Sequence, residues 1–172
     1  MKKIVKFLSL TLVILVIMYL ALELKEQYPI YQSNKSLDAY DLHFQDSPDD
    51  LQEVLKDFDF EGGFGGEFYK IRNSSMKIAF SGFPDALDNH LLTNIEFNTN
   101  TYKVFNITTD TSIIDAKSIL QENNYSIDDN SNSSTLSFTN GVVNIKLKLD
   151  VNSQIESIRI NLISTNKDGV IF

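Results

Sequence analysis

Leu136-Ser137-Phe138-Thr139-Asn140-Gly141-Val142-Val143-Asn144-Ile145-Lys146-Leu147-Lys148-Leu149 is the stretch that sets the fold class. Leu136 and Phe138, then Val143, Ile145, Leu147 and Leu149, place an apolar residue at every second position, the period of a strand with one buried face. Thr139-Asn140-Gly141 breaks the pattern with turn chemistry. Two strands joined by so short a connection run antiparallel. Downstream, residues 150–153 turn the chain again, and Ile155, Ile158, Ile160 and Leu162 close the unit. Upstream lies a polar loop, Asp128-Asp129-Asn130-Ser131-Asn132-Ser133-Ser134. Before it, Thr109-Asp110-Thr111 reads as a helix start, with Ile113, Ala116, Ile119 and Leu120 on one face, and residues 102–107 read as a strand ahead of that. The order is β-α-β-β-β.

The same order is legible 65 residues earlier. Residues 39–44 read as a strand carrying Tyr40, Leu42 and Phe44. Ser47 reads as an N-cap, with Pro48 and the acids Asp49 and Asp50 in the first turn, followed by a stripe of Leu51, Val54, Leu55 and Phe58. Strands follow at 68–72, 76–80 and 93–97. The shift pairs Leu42 with Ile107, Leu55 with Leu120, Ile78 with Val143, Phe80 with Ile145 and Ile95 with Ile160. Ser47/Ser112, Asp50/Asp115, Leu55/Leu120 and Asp85/Asp150 are identical. The fold class is therefore α+β: an N-terminal transmembrane helix, then two tandem β-α-β-β-β units with antiparallel sheets, each burying one face against a helix. Over residues 37–162 this layout resembles in topology the small repeat modules of the beta-lactamase inhibitory protein and of the outer-membrane assembly lipoproteins. The resemblance implies a binding module; it transfers no target and no residue.

The chain opens Met1-Lys2-Lys3-Ile4-Val5-Lys6, and residues 7–22 carry no charge. A helix rises about 1.5 Å per residue, so a bilayer core of about 30 Å takes roughly 17–25 residues. The run is at the short end, with Lys6 and Glu23 placed to reach the headgroups. Three lysines precede it, so the basic flank stays in the cytoplasm and the rest faces outward. A cleaved signal peptide is the rival reading, although Ala21 is the only small residue near a cut and Tyr19 sits two before it. The expected division is a membrane anchor at 1–24, a stalk at 25–36, a first unit at 37–98 and a second at 99–172.

Cysteine is absent, so no disulfide or thiolate chemistry is available. The net charge is −8, and all 23 acids follow Leu22. A domain so acidic argues against nucleic acid as a partner. Much of the excess lies between Asp38 and Glu67, as a solvated face or a docking surface for a basic partner.

Candidate chemistry is sparse. Asp57-Phe58-Asp59-Phe60-Glu61-Gly62 alternates oxygen ligands before a glycine as a calcium loop does, but Phe68 stands where the twelfth-position Glu belongs. Asp128-Asp129-Asn130-Ser131-Asn132 alternates similarly without the glycine. Gly62-Gly63-Phe64-Gly65-Gly66 lacks the Lys and Ser/Thr of a phosphate-binding loop. It does hold up Phe64 among glycines as a candidate partner contact. His43 and His90 lie far apart, and no serine sits in a G-x-S-x-G elbow. No catalytic, cofactor or metal residue is assigned. The expectation is a membrane-anchored extracytoplasmic binding or scaffolding module of the bacterial cell envelope, in contact with the membrane and with an envelope protein. An envelope-polymer hydrolase and a cation-binding sensor are the alternatives.

Overall fold

Alternation on this scale has to be paired strand to strand, and in the computed structural model it is paired into a single antiparallel sheet of eight strands. The structure describes residues 2–62, 68–82 and 90–163, without the side chains of 2–9 and 26. In spatial order the strands are β2 (Phe58–Phe60), β3 (Phe68–Ile71), β4 (Met76–Phe80), β5 (Leu92–Phe97), β10 (Ile155–Leu162), β9 (Val143–Leu149), β8 (Thr135–Thr139) and β7 (Ser126–Ile127). A separate ladder joins β1 (Leu37–Asp38) to β6 (Lys103–Val104). The helices are α1 (Lys2–Ser36), α2 (Gln52–Leu55) and α3 (Ile113–Glu122).

One row of facing residues crosses the whole sheet: Phe60, Tyr69, Ile78, Ile95, Ile160, Ile145, Phe138 and Ile127. Its middle is the core. Ile78, Ile95, Ile160, Ile145 and Phe138 are buried, and each such isoleucine contributes roughly 1.5–3 kcal/mol of transfer free energy. Its ends emerge, with Phe60 62% and Ile127 51% exposed. The opposite face carries Lys77, Glu96, Arg159 and Lys146 in another row, with the Arg159 guanidinium bonded to Glu96 at 2.5 and 2.9 Å. One apolar and one solvated face is the usual state of an antiparallel sheet.

The row reads alike from both ends because its centre pairs Ile95 with Ile160, residues 65 apart. In the small ladder Asp38 faces Lys103, also 65 apart. Two residues that face their own counterparts in an antiparallel pair lie on a local two-fold axis. Tyr40 and Asp41 have φ of 55° and 53°, and their counterparts Phe105 and Asn106 have 50° and 62°. Each pair is the centre of a tight turn, closed by Leu42 N–H to Ala39 O at 3.0 Å and Ile107 N–H to Val104 O at 2.8 Å.

Several expectations are corrected. The sheets expected for the two halves are one sheet, joined through β5 and β10. The strand read at 39–44 is a turn, with the two-residue β1 lying just before it, and the strand read at 102–107 is cut to Lys103–Val104, because the left-handed turns leave the extended region. Leu42, Phe44 and Ile107 are buried from those turns instead. Each half gains an outer strand, β2 and β7. Phe58 belongs to β2 rather than to the helical stripe, and α2 is a single turn. The helix start read at 109–111 moves to Ser112, whose Oγ accepts from Asp115 N–H. Residues 25–36, expected as a stalk, are helical to Ser36 with Pro29 inside. Ile30 and Ser33 are buried against the domain, so tertiary packing supplies what the local sequence lacks. Among the described residues no helix is long and apolar enough to cross a membrane. The transmembrane part of the expectation for 1–24 therefore finds no support there.

Candidate binding groove

Where α1 ends, its last turns are pinned to the domain by polar contacts. The Asn34 side chain accepts Phe44 N–H at 2.7 Å and donates to Phe44 O at 3.2 Å. Ser33 Oγ, wholly buried, donates to Pro29 O at 2.9 Å and meets the Tyr125 hydroxyl at 3.0 Å. Phe105 N–H donates to Ser36 O at 3.2 Å, which ties the helix end to the second tight turn. The aromatic members of the two turns pack alike: Tyr40 edge-on to Phe58 at 5.8 Å, Phe105 edge-on to Tyr125 at 5.6 Å. Burial pushes the Tyr125 hydroxyl up to about 12.

This junction encloses a groove of about 580 Å³, with Lys35, Asp38, Asp41, His43, Lys103 and Asn106 among its lining. Asp38 pairs with Lys103 at 3.3 Å, and His43 Nδ1 lies 3.6 Å from Asp46. Four of these residues, Asp38, Asp41, Lys103 and Asn106, come from the ladder or turns on the two-fold axis. The left-handed backbone of Asp41 and Asn106 is set by the turn geometry, in which both central residues need positive φ. The groove mixes both signs of charge and offers hydrogen-bonding groups.

A catalytic carboxyl is commonly held above its ordinary range. Asp50, Asp128 and Asp150 are instead all lowered, Asp50 by its hydrogen bonds with Ser47, Asp128 by those with Asn130 and Asp150 by the Gln154 backbone N–H. Also among the described residues, no cluster of His, Cys, Asp or Glu could hold a metal ion. The acids of Asp57-Phe58-Asp59-Phe60-Glu61 stand along one face of β2, an extended edge that cannot wrap an ion as a loop does. A Ser-x-x-Lys spacing, read as absent from the sequence, does occur at Ser74–Lys77; it lies in the β3–β4 turn and the start of β4, and no hydrogen bond joins the two side chains.

Phe64, the candidate contact residue, lies outside the described residues. Gly62 just before it has φ of +64°, with Phe60 Cε1 3.4 Å from where a Cβ would stand, so this glycine is required by backbone conformation. The groove was missed in the sequence because its residues come from three separated segments. The signal available was the pairing of Tyr40-Asp41 with Phe105-Asn106 under the 65-residue shift.

No family model, no curated protein and no solved structure matches this chain. The resemblance of layout to inhibitory and assembly repeat modules accordingly brings no residue role to the groove.

Proposed function

We propose that this chain is a single-pass, membrane-anchored binding or scaffolding module of the bacterial envelope, with its domain outside the cytoplasm. The observation that carries the reading is the state of α1 between Leu10 and Leu24. Its large apolar side chains are exposed to between 49% and 67%, on every side of the helix and away from the sheet. Apolar surface of that extent calls for a cover, and a helix without a polar face suits hydrocarbon. The sixteen uncharged residues 7–22 supply the run and Lys2, Lys3 and Lys6 the orientation. The binding role rests on a domain of two like halves with no acid–base constellation among its described residues. In this reading the halves are tandem β-α-β-β-β units, 37–98 and 99–172, each extended by an outer strand.

A reporter fused after Phe172 tests the arrangement. Activity only outside the cytoplasm, with the protein retained in membranes through carbonate extraction, is the expected result. A protein released into the medium with a mature start among residues 23–31 would replace the anchor by a cleaved signal.

A further inference from the structure

Among the described residues no strand pairs with the outer side of β2, and the alternation of Asp57-Phe58-Asp59-Phe60-Glu61 gives that edge two unlike faces. Glu61 N–H donates to Phe68 O at 2.9 Å and Arg72 N–H to Asp57 O at 3.3 Å. In an antiparallel ladder these contacts fix the alternation, so residues 57, 59 and 61 turn their backbone groups toward β3 and residues 58 and 60 turn theirs away. Among the described residues nothing receives the outward N–H and C=O of Phe58 and Phe60. Side chains alternate likewise. Phe60 continues the apolar row past Tyr69, 5.2 Å away and edge-on, and stays 62% exposed. Asp57, Asp59 and Glu61 line the other face, where Arg72 at 3.4 Å from Asp59 and Lys70 at 3.7 Å from Glu61 answer them in part.

We propose that this edge takes an extended segment of a partner protein, with basic and apolar residues in alternation, as a ninth strand. This rests on the reading of the domain as a binding module. Main-chain bonds to Phe58 and Phe60 supply the attachment, and the alternating side chains supply the selection. An apolar side chain of the incoming strand covers Phe60 and extends the buried row. A basic neighbour meets Asp57, Asp59 and Glu61 on the other face. A second copy of this chain is disfavoured, since two β2 edges would bring these acids together. At the far edge Ile127, 51% exposed and beside Asp128, offers one outward residue and a shorter template.

The full chain in detergent micelles is titrated with a short peptide alternating lysine and valine, and with one alternating glutamate and valine. The lysine peptide binds, more weakly as salt is raised, and slows amide exchange at Phe58 and Phe60 about tenfold or more. The glutamate peptide does not bind. Asp57→Asn with Asp59→Asn weakens binding about tenfold, and Phe60→Pro, which removes an outward N–H without touching the β3 ladder, abolishes it. Binding of both peptides alike, or binding without protection of those two amides, overturns the proposal even if the proline variant folds poorly. In cells, a photo-crosslinker at Phe60 should capture a partner at the edge. Capture from Lys35 in the groove but not from Phe60 overturns the edge and leaves the binding module standing. An intracellular reporter signal from the C-terminal fusion removes the underlying reading instead.

Discussion

Asn34 and Tyr125 decide how the helix meets the domain. Asn34 satisfies both backbone groups of Phe44 at once, and Asn34→Ala leaves them unpaired where Phe44 is buried. Such a loss costs about 1–3 kcal/mol, so a urea melt should shift by that amount. Tyr125 contributes to the alkaline pH dependence. Burial favours the neutral phenol, placing the folded hydroxyl at about 12 against an ordinary 10. A folded pKa raised above the unfolded one gives stability that is whole below pH 10 and is lost as pH climbs through 12. Urea midpoints measured across that window should fall in the native protein and fall less in Tyr125→Phe. The phenylalanine variant also loses the hydroxyl contact with Ser33, about 1 kcal/mol at neutral pH. An unchanged alkaline slope in the variant would assign the loss to other groups.

Ser112 caps α3, whereas the same device at Ser47, expected as a helix cap, closes the turn ahead of α2, whose own N-cap Leu51 has no side-chain cap. Ser47 Oγ accepts Asp50 N–H at 3.3 Å while the Asp50 carboxylate accepts Ser47 N–H at 2.9 Å; Ser112 Oγ accepts Asp115 N–H at 3.1 Å and donates to its carboxylate at 2.7 Å. Ser112→Ala, which removes the α3 cap, should cost about 1 kcal/mol, and Ser47→Ala, which opens only a turn, should cost less. The hydrogen bonds with Ser47 hold Asp50 below its ordinary 3.8, so this contribution is present above that pH and fades as pH falls through the lowered value. The two helices differ in what they bury. Leu120 is fully buried on α3, and Leu120→Ala should cost about 2–5 kcal/mol. Leu55, at the end of the single turn α2, is only half-buried and should cost clearly less. Equal losses at the two sites would mean that α2 is longer in solution. The two Ser-x-x-Asp pairs stand in the sequence, but the cap expected at Ser47 closes a turn instead, and the helix start expected at 109–111 falls three residues or fewer before the Ser112 cap. The length of α2 was not legible, since Phe58 fits a helical stripe and a strand equally well, and only pairing with Ile71 settles it.

Across the whole molecule, the strand order was legible in outline and the register was not. A constant shift of 65 pairs Ile78 with Val143, whereas the sheet aligns Ile78, through Ile95 and Ile160, with Ile145. The slip is two residues. A two-residue slip returns every side chain to the same face, so the apolar pattern is blind to it. The union of the halves was equally hidden, because the seam strands β5 and β10 alternate like any others. That seam carries the last prediction. Phe97 faces Ile158 and Ile95 faces Ile160 across it, all four buried, and Glu96 bonds Arg159 on the other face. Separating residues 37–98 from 99–172 would turn two central strands into long, apolar, unpaired edges, which aggregate or stay unfolded. Neither piece alone should give dispersed amide resonances, and co-expression should restore them. In the intact chain Ile95→Ala and Ile160→Ala should lower the protection of β4 and β9 amides together, since both halves unfold as one cooperative unit. A stable, monomeric 37–98 piece, or loss of protection confined to the mutated half, would make the seam a docking contact between two independently folded domains.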